Sequence, residues 1–416
     1  MRRIQAAIIG GGAAGFFAAL RLAELLPQLE VHIFEKSRHL LSKVKVSGGG
    51  RCNVTHACFD PQQLTMYYPR GQKELRGPFT RFGPRQTVEW FRKAGVKLKT
   101  EEDGRMFPST DSSQTIIDTF LSKAEDYSIQ IHTEKGLTGL VREGEKWRLE
   151  FSDQSVYTAE TVFLSPGSNS ALWSLMSSLG IKTVPPVPSL FTFSIRDKDL
   201  HALSGLSVPK VETTVQGTSY TSEGPLLLTH WGMSGPAILK LSAFAARQLY
   251  DNGYKFTITI NYLPDHPDTE KTVTAFKISQ SRKQTGTQSP FEEIPRRLWL
   301  YLLQRAGIDA QKNWADISKQ QVFRLLTELC EGIYQVDGKN TFKEEFVTCG
   351  GIDLKEINFT DYSLKKLPGI FAGGEFINVD AVTGGFNFQN AWTSGYLAAE
   401  GMAGILQKKR ENNSPS

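Results

Sequence analysis

The sequence predicts an α/β fold, in which a Rossmann-like three-layer domain is interrupted by an inserted β-barrel-like and helical domain. A glycine-rich strand–helix–strand pattern opens the chain, and a second glycine-punctuated apolar stretch follows residue 346. Between them the pattern becomes β-rich from about Leu190 and helical from about Phe291. At 416 residues the chain is too long for one ordinary core, so two or three domains are expected.

The opening pattern indicates a dinucleotide-binding βαβ unit. A short buried strand is predicted at Gln5–Ile9, a helix at Ala13–Leu26 and a second strand at Val31–Phe34. Gly10-x-Gly12-x-x-Gly15 lies between strand and helix, where glycines permit a tight turn, approach to a pyrophosphate and close packing. Glu35 follows at the position of a ribose-binding acid. A glycine-rich turn alone can be only a turn, but this order of elements favours nucleotide binding.

Further elements are predicted from periodicity and punctuation. Ser47–Pro108 is expected to be loop-rich with one helix, and Thr269–Pro290 to be a mobile loop or a solvated hairpin. Helices are predicted at Thr87–Ala94, at Asp111–Ala124 with Asp111 or Ser112 as its cap, and as two or three amphipathic helices within Phe291–Gln335. Strands are predicted at Ile129–His132, Trp147–Phe151, Thr161–Leu164, Leu190–Ile195, Lys210–Val215, Pro225–Thr229 and Phe256–Ile260.

These elements suggest the domain boundaries. A first part of the cofactor domain is expected at 1–188 and its second part at 347–416. The insertion would comprise a β-rich domain at 189–286, a helical segment at 287–335 and a return strand at 336–346.

The C-terminal part favours FAD over NAD as the cofactor. Gly369–Glu375 is predicted to be a strand that runs into a glycine turn and an acid, and Gly384-Gly385-Phe386-Asn387 opens a helix. FAD is long, so a second segment is needed to hold its ribityl chain and ring, and a helix N-terminus would stabilise negative charge on the reduced ring. The alternative is an ordinary strand–turn–helix whose glycines serve packing. A second Gly-x-Gly-x-x-Gly after a strand is absent from the sequence, so a dedicated NAD(P)H domain is not expected.

Composition excludes several other classes of protein. The net charge of +5 arises from 48 basic and 43 acidic residues, and the basic run Lys408-Lys409-Arg410 is interpreted as a solvated tail, so no nucleic acid is expected. Cys52, Cys58, Cys330 and Cys349 fit neither a zinc ribbon nor a redox pair, so no metal site is predicted. Few cysteines indicate a reducing, cytoplasmic setting. The sequence contains no apolar stretch of about 20 residues, so no membrane span is expected.

The stretch Ser47–Thr55, SGGGRCNVT, resembles the signature of the BaiN/YhiN-type bacterial flavoproteins, also called aminoacetone oxidase-family FAD-binding enzymes. Four further motifs agree in order: Gly104-Arg105-x-Phe107-Pro108, Thr229-His230-x-Gly232-x-Ser234-Gly235-Pro236, Gly350-Gly351-Ile352, and Gly373-x-Glu375 with Asp380, Gly384, Gly385 and Asn387. The resemblance implies non-covalent FAD, inserted β-barrel and helical domains, and reduction or oxidation of small molecules such as enones or an aminoketone. The sequence departs from the family pattern at Leu164–Gly167, at Pro188–Leu190 and at Phe386, where a tyrosine is usual.

Candidate cofactor-binding residues follow from the glycine motifs and the resemblance. They are Gly10, Gly12, Ala13, Ala14, Gly15, Glu35, Lys36, Lys43, Ser47, Gly49, Gly50, Arg51, Cys52, Asn53, Leu137, Gly374, Glu375, Gly385, Phe386 and Asn387. For some of them a structural role competes: Arg51 is either a cation beside the cofactor or an ion-pair residue, and Cys52 is interpreted as a buried thiol rather than a redox partner.

His230 and Arg105 are the candidate catalytic residues. Histidine is the usual proton carrier near neutral pH, and Arg105 could anchor a carbonyl or carboxylate; for His230 a structural role is equally open. The expected activity is that of an FAD-dependent oxidoreductase that transfers a hydride between flavin N5 and a small organic substrate, with NAD(P)H or oxygen as second partner. The alternatives are a flavin-dependent hydroxylase, a nucleic-acid-modifying flavoprotein and a non-catalytic flavin-binding protein.

Overall fold

A computed structural model describes residues 2–340 and 347–413 of the chain. The chain divides into two compact units, Met1–Val187 with Val347–Ser416, and Pro188–Phe346. Part of the predicted return strand, 341–346, and the last three residues, 414–416, lie outside the described residues.

The first segment of unit 1 contains twelve strands and seven helices among its described residues. They are β1 (Arg2–Arg3), β2 (Ala6–Ile9), α1 (Ala13–Leu25), β3 (Val31–Phe34), α2 (Ser42–Gly50), β4 (Thr55–His56), α3 (Pro61–Thr65), α4 (Arg76–Arg81), α5 (Pro84–Lys93), β5 (Leu98–Thr100), β6 (Arg105–Pro108), α6 (Ser113–Asp126), β7 (Gln130–His132), β8 (Leu137–Glu143), β9 (Lys146–Phe151), β10 (Val156–Ala159), β11 (Thr161–Leu164), α7 (Ser170–Ser178) and β12 (Thr183–Ser189), whose last two residues belong to unit 2.

Unit 2 and the closing segment of unit 1 follow along the chain. Unit 2 contains β13 (Thr192–Ile195), α8 (Lys198–His201), β14 (Ser207–Val215), β15 (Thr221–Thr229), β16 (Gly232–Ser234), α9 (Pro236–Phe244), α10 (Ala246–Asp251), β17 (Lys255–Asn261), α11 (Thr269–Ser279), α12 (Arg296–Arg305), a 3-10 helix (Trp314–Asp316), α13 (Lys319–Cys330) and β18 (Gly332–Asn340). The closing segment contains β19 (Val347–Ile352), β20 (Ile357–Asn358), β21 (Ser363–Leu364), β22 (Ile370–Ala372), α14 (Phe386–Asn413) and 3-10 turns at Leu354–Glu356 and Gly374–Phe376.

A seven-stranded sheet of order β20-β21-β22-β11-β2-β3-β7 forms the centre of unit 1. Strands β22, β11, β2, β3 and β7 run parallel, and Ile9, Leu164 and Ala372 are aligned in register. Strand β2 is wholly buried, as expected for a parallel strand covered on both faces. The carboxyl ends of β2, β11 and β22 therefore share one edge, which is where open α/β sheets bind ligands.

Unit 2 is built around a closed antiparallel barrel of order β13-β16-β15-β14-β17-β18. Its core joins inward-facing barrel residues such as Val208 and Ile258 to Trp299 and Trp314 from the helical part, all almost fully buried. The predicted fold class, a Rossmann-like three-layer domain with an inserted β-barrel-like and helical domain, is confirmed.

Two regional predictions were wrong. Thr269–Pro290 begins with helix α11, of whose residues only Thr269 and Val273 are buried, so its sequence shows almost no apolar face. The stretch 47–108 is less loop-rich than expected, because it also contains the short helices α3 and α4. In addition, the helices predicted up to Gln335 end at Cys330, and β18 begins at Gly332.

Within the described residues, no helix combines the length and apolar character that crossing a membrane requires.

Candidate functional site

The first glycine turn lies at the carboxyl end of β2. Gly10 has φ +108°, and a Cβ there would lie 2.3 Å from the Ser165 carbonyl oxygen. A Cβ at Gly15 would lie 1.9 Å from the Gly10 carbonyl oxygen. A Cβ at Gly12, in contrast, would meet no described atom within 4 Å. Gly10 and Gly15 therefore serve packing, whereas Gly12 borders open space in front of α1.

Helix α1 presents its N-terminus to that space. Gly12 is its extended N-cap, and no side chain among the described residues caps it. Phe16 N–H donates to the Gly12 carbonyl at 3.0 Å, so the N–H groups of Ala13, Ala14 and Gly15 precede the first intrahelical bond. Such a helix end, with no acid in its first turn, is suited to a phosphate.

Glu35 is fixed beside this turn by backbone donors. Its carboxylate accepts from Gly11 N–H at 2.8 Å and from Ser37 N–H at 2.9 Å. An ionised carboxylate can accept further hydrogen bonds, so ribose hydroxyls could still bind there. Lys36 lies next to this position against Gly136, and the buried Leu137 follows. The structure thus groups Glu35, Lys36 and Leu137 at one side of the turn.

The signature stretch forms a second glycine turn at the end of α2. Ser47 leaves the helical conformation, and Gly48, Gly49 and Gly50 have φ of +58°, +67° and +84°, a region that side chains other than glycine rarely adopt. Cβ atoms at Gly49 and Gly50 would meet no described atom within 4 Å, and all three glycines are exposed. The turn therefore leaves bare backbone exposed at Gly49 and Gly50.

Arg51 and Arg105 lie together around Phe107. Arg51 pairs with Glu101 at 2.6 Å and lies 4.0 Å above the buried Phe107 ring. Arg105 pairs with the same Glu101 at 3.0 Å and with Asp103 at 2.7 Å. The hydrogen bond to Glu101 raises the pKa of Arg51. Of the two roles considered for Arg51, the structure displays the ion pair.

Cys52 is a buried thiol. Burial raises its pKa to about 12, so it carries no thiolate at neutral pH. The next residue, Asn53, links the signature to the second half of the site. In the amide orientation that satisfies both neighbours, it donates to the Thr55 carbonyl at 3.1 Å and accepts from Gly385 N–H at 3.0 Å.

The C-terminal glycine turn opens helix α14. Asn387 holds the loop before it, since its side chain accepts from Ala381 N–H and donates to the Ala381 carbonyl, both at 3.0 Å. Gln389 N–H makes the first intrahelical bond, to Gly385 at 3.0 Å. The N–H groups of Phe386, Asn387 and Phe388 therefore form a second helix N-terminus that can stabilise negative charge.

The two helix N-termini belong to packed, parallel helices. A Cβ at Gly395 would lie 2.5 Å from the Ala14 carbonyl oxygen, and Arg21 pairs with Glu400 at 3.1 Å. Phe386 precedes Gly395 by nine residues, so at 1.5 Å per residue α14 begins about 13 Å beyond the start of α1. A long cofactor lying along this edge could reach both helix ends.

Gly374 and Glu375 lie between them. Gly374 N–H donates to Ser394 Oγ at 2.9 Å, and its carbonyl accepts from the Asn390 amide at 3.2 Å. Glu375 pairs with Lys43 and accepts from Thr348 N–H at 3.1 Å. The Asn390 Oδ1 atom is buried and has no hydrogen-bond partner among the residues that the structure describes. An acceptor buried in this way fits a site completed by ligand hydroxyls.

His230 belongs to unit 2, whereas the residues described above belong to unit 1. It lies exposed in the turn between β15 and β16, with its ring 4.0 Å from that of Trp231. Its catalytic role stays a prediction, as does that of Arg105.

The sequence reasoning missed three groups beside the C-terminal glycine turn. His56 and Tyr67 stack on Phe386 at 4.7 and 4.3 Å, and Arg70 pairs with the buried Asp380. Of these, only His56 carried a signal, because it follows the signature directly. Tyr67 and Arg70 are separated from their partners by more than three hundred residues, and no local pattern joins them.

Comparisons with known proteins identify the family to which the chain belongs. The family model described as "HI0933-like protein Rossmann domain" matches residues 4–401. A Haemophilus influenzae protein named ribosomal RNA dihydrouridine synthase is 29% identical, over 94% of this chain and 96% of its own. A Clostridium scindens protein named 3-dehydro-bile acid delta(4,6)-reductase is 24% identical, over 95% and 98%.

Among solved structures, 3-ketosteroid-delta4-(5alpha)-dehydrogenase from Rhodococcus jostii RHA1 aligns with a TM-score of 0.53. It is 12% identical and covers 97% of each chain, so this similarity concerns the fold alone. The family match confirms the resemblance inferred from the Ser47–Thr55 signature: the chain belongs to the HI0933-like Rossmann-domain family and is an oxidoreductase of the BaiN/YhiN flavoprotein type.

Proposed function

We propose that the chain binds FAD non-covalently and reduces a carbon–carbon double bond conjugated to a carbonyl group. The observation that supports this most strongly is the pair of helix N-termini, α1 and α14, which begin at glycine turns in one unit about 13 Å apart along parallel helices. The first suits the pyrophosphate and the second suits the ring of a long flavin dinucleotide.

Different residues of the chain would contact different parts of FAD. Glu35, with Lys36 and Leu137 beside it, would hold the adenosine end, and the N–H groups of Ala13–Gly15 the pyrophosphate. Asn390 and Glu375 would accept hydrogen bonds from ribityl hydroxyls. The exposed backbone of Gly49–Gly50 and the N–H groups of Phe386–Phe388 would border the ring. Asn53 and Asn387 act indirectly, since they hold the glycine turn in place.

When bound, FAD supplies hydride transfer through its N5 atom, with NAD(P)H as donor and the β-carbon of the conjugated substrate as acceptor. A proton must then reach the α-carbon to complete the addition of two hydrogens. Arg105 would bind the substrate oxygen, and His230 would deliver the proton. The helix α14 N–H groups would stabilise the negative charge that reduction places on the ring.

A small enone is the substrate class that we favour. One relative is named 3-dehydro-bile acid delta(4,6)-reductase, and this name denotes reduction of carbon–carbon double bonds in a bile acid that carries a ketone. The sequence resemblance also implies enone substrates. Oxidation of an aminoketone at the expense of oxygen, which the sequence resemblance also implies, is a different reaction and the other small-molecule candidate.

Uracil within ribosomal RNA is a second candidate substrate. Dihydrouridine is uridine with two hydrogens added across a double bond conjugated to a carbonyl, so the chemistry is the one proposed. A relative with this activity in its name spans nearly the whole chain. The expectation that no nucleic acid is involved therefore stays a prediction.

An anaerobic acceptor screen tests the proposed function. The protein would be reduced with NADH, NADPH or light, and then mixed with 2-cyclohexenone, a 3-keto-4-ene steroid, ribosomal RNA or oxygen. We expect reoxidation by an enone with a product two hydrogens heavier; dihydrouridine in the RNA would instead select the second candidate. Reoxidation by oxygen alone, with oxygen in an aromatic product or with no product, would contradict a double-bond reductase.

A further inference from the structure

We propose that unit 1 carries a second binding site, for a small anion that joins a planar aromatic ring to a phosphate. The site is a cavity of about 450 Å³, a volume within the usual range for small-molecule sites. It opens among helices α1, α5, α6 and α14, and its lining includes Phe82, Trp90 and Tyr396 together with Arg21, Arg85 and Lys123.

The cavity is separate from the proposed flavin site. Arg21 follows Gly12 by nine residues, which places it about 13 Å along α1 from the helix N-terminus that faces the proposed pyrophosphate position. None of the three glycine turns contributes a residue to the cavity lining. A ligand here would therefore not compete with the cofactor.

Aromatic rings form one wall of the cavity. Tyr396 stacks on Phe82 with ring centroids 4.2 Å apart, and Trp90 packs on the buried Phe17 at 4.6 Å. Trp90 and Tyr396 are both partly exposed. The Arg21 guanidinium lies 4.4 Å above the Tyr396 ring, so the surface on which a planar ring could stack is that of Trp90.

The charged side chains of the cavity favour an anion. Four cations, Arg21, Arg85, Lys93 and Lys123, face two carboxylates, Glu24 and Glu89. Glu24 forms an ion pair with Arg21 at 3.4 Å. Glu89 forms an ion pair at 2.8 Å with Arg92, which does not line the cavity.

Two of these cations, Arg85 and Lys123, take part in no ion pair among the described residues; Arg85 lies 4.8 Å above the Phe59 ring and Lys123 lies 6.0 Å above the Tyr127 ring. In the part of the chain that the structure describes, neither Arg85 nor Lys123 has a carboxylate within 4.0 Å. The Arg21 Nε atom is buried and lacks an acceptor there. A phosphate could therefore gain charge-assisted hydrogen bonds without breaking an existing ion pair.

Calorimetric titration with three matched probes tests the site. Adenosine 5′-monophosphate carries both ring and phosphate, adenosine carries the ring alone, and ribose 5-phosphate carries the phosphate alone. We expect the monophosphate to bind at least tenfold more tightly than either fragment. Absence of monophosphate binding at millimolar concentration, or equal binding of a fragment, would overturn the proposal.

Variants locate the site on the protein. Arg85→Met with Lys123→Met should weaken monophosphate binding tenfold or more, as the loss of charged hydrogen bonds implies. The control, Arg76→Met with Lys97→Met, removes two exposed charges elsewhere in unit 1 and should change nothing. These titrations use the FAD-loaded protein, in which the cofactor would occupy the βαβ unit; binding of the monophosphate by the cofactor-free protein alone would place the nucleotide in that unit and overturn the proposal.

A further titration with hexaadenylate, a six-nucleotide RNA, distinguishes a free nucleotide from an RNA strand as the source of the ligand. Tighter binding of the hexamer than of the monophosphate, lost in the Arg85/Lys123 variant, would mean that the site takes a nucleotide of an RNA strand. Weaker binding of the hexamer would mean that it takes a free nucleotide.

Discussion

Glu35 is the residue whose proposed role depends most on its hydrogen bonds. Gly11 N–H and Ser37 N–H hold the carboxylate beside the first glycine turn, and ribose hydroxyls would take its remaining acceptor positions. Losing one charged hydrogen bond corresponds to about 1.5–3 kcal/mol. We therefore expect Glu35→Ala to weaken FAD binding roughly tenfold to a hundredfold, as measured by flavin fluorescence titration.

Glu125→Ala provides the control, because it removes an exposed acid from α6. An unchanged FAD dissociation constant in Glu35→Ala would mean that the carboxylate does not contact the cofactor.

His132 gives the stability of the protein a defined pH dependence. Its Nε2 atom lies 3.0 Å from Nδ1 of the buried His32, and burial, with the nearby His32, lowers the pKa of His132 to about 4. In the unfolded chain this pKa is about 6.5, so the unfolded state binds more protons between these two values. The contribution of neutral His132 to the free energy of unfolding is therefore fully present above pH 6.5, and it is lost as the pH falls towards 4.

Melting temperatures recorded between pH 7.5 and 4.5 test this. His132→Gln should show a shallower decline over that range than the unmodified protein, whereas the exposed His39→Gln should not. Parallel curves for His132→Gln and the unmodified protein would show that the histidine pair does not titrate on unfolding.

At the scale of elements, substitutions of Gly15 and Gly12 in the first turn are expected to have different effects, one on stability and the other on FAD binding. A Cβ at Gly15 would lie 1.9 Å from a backbone carbonyl, whereas a Cβ at Gly12 would meet no described atom within 4 Å. Gly15→Ala should therefore lower the melting temperature of the cofactor-free protein by several degrees, since overpacking costs about 1–3 kcal/mol. Gly12→Ala should leave that melting temperature nearly unchanged and weaken FAD binding tenfold or more, because its methyl group would occupy phosphate space.

Calorimetry on both cofactor-free variants, followed by FAD titration, separates the two effects. Full FAD affinity in Gly12→Ala would mean that the pyrophosphate lies elsewhere.

Elements with a strong local pattern could be predicted from the sequence. The first βαβ unit was predicted almost residue for residue, because β2 and β3 are wholly buried and appear as short apolar runs. Helix α11 could not be predicted in this way, since only two of its residues are buried. The Arg70–Asp380 pair joins residues separated by 310 positions, and only the folded chain brings them together.

At the scale of the whole molecule, the proposed catalytic residues come from different units. Arg105 lies in unit 1 and His230 in unit 2, so each proposed role is tested by its own variant. Arg105→Met and His230→Gln should retain FAD content and flavin spectrum but lose turnover by about 10²-fold or more, the scale expected for a positioned acid or base.

Rapid-mixing measurements of enone reduction, normalised to bound flavin, check this expectation. Unchanged turnover per flavin, together with a lower melting temperature, would assign both residues to stability instead. The exposed Arg142→Met would control for the loss of a cation at the surface.

The cofactor itself provides the most direct test of the central claim. Purified protein would be denatured by heat, and the released small molecules separated and weighed by mass spectrometry. A yellow protein that releases FAD in a ratio near one per chain is the predicted result. Release of FMN alone, or a colourless protein that added FAD cannot reconstitute, would contradict the account.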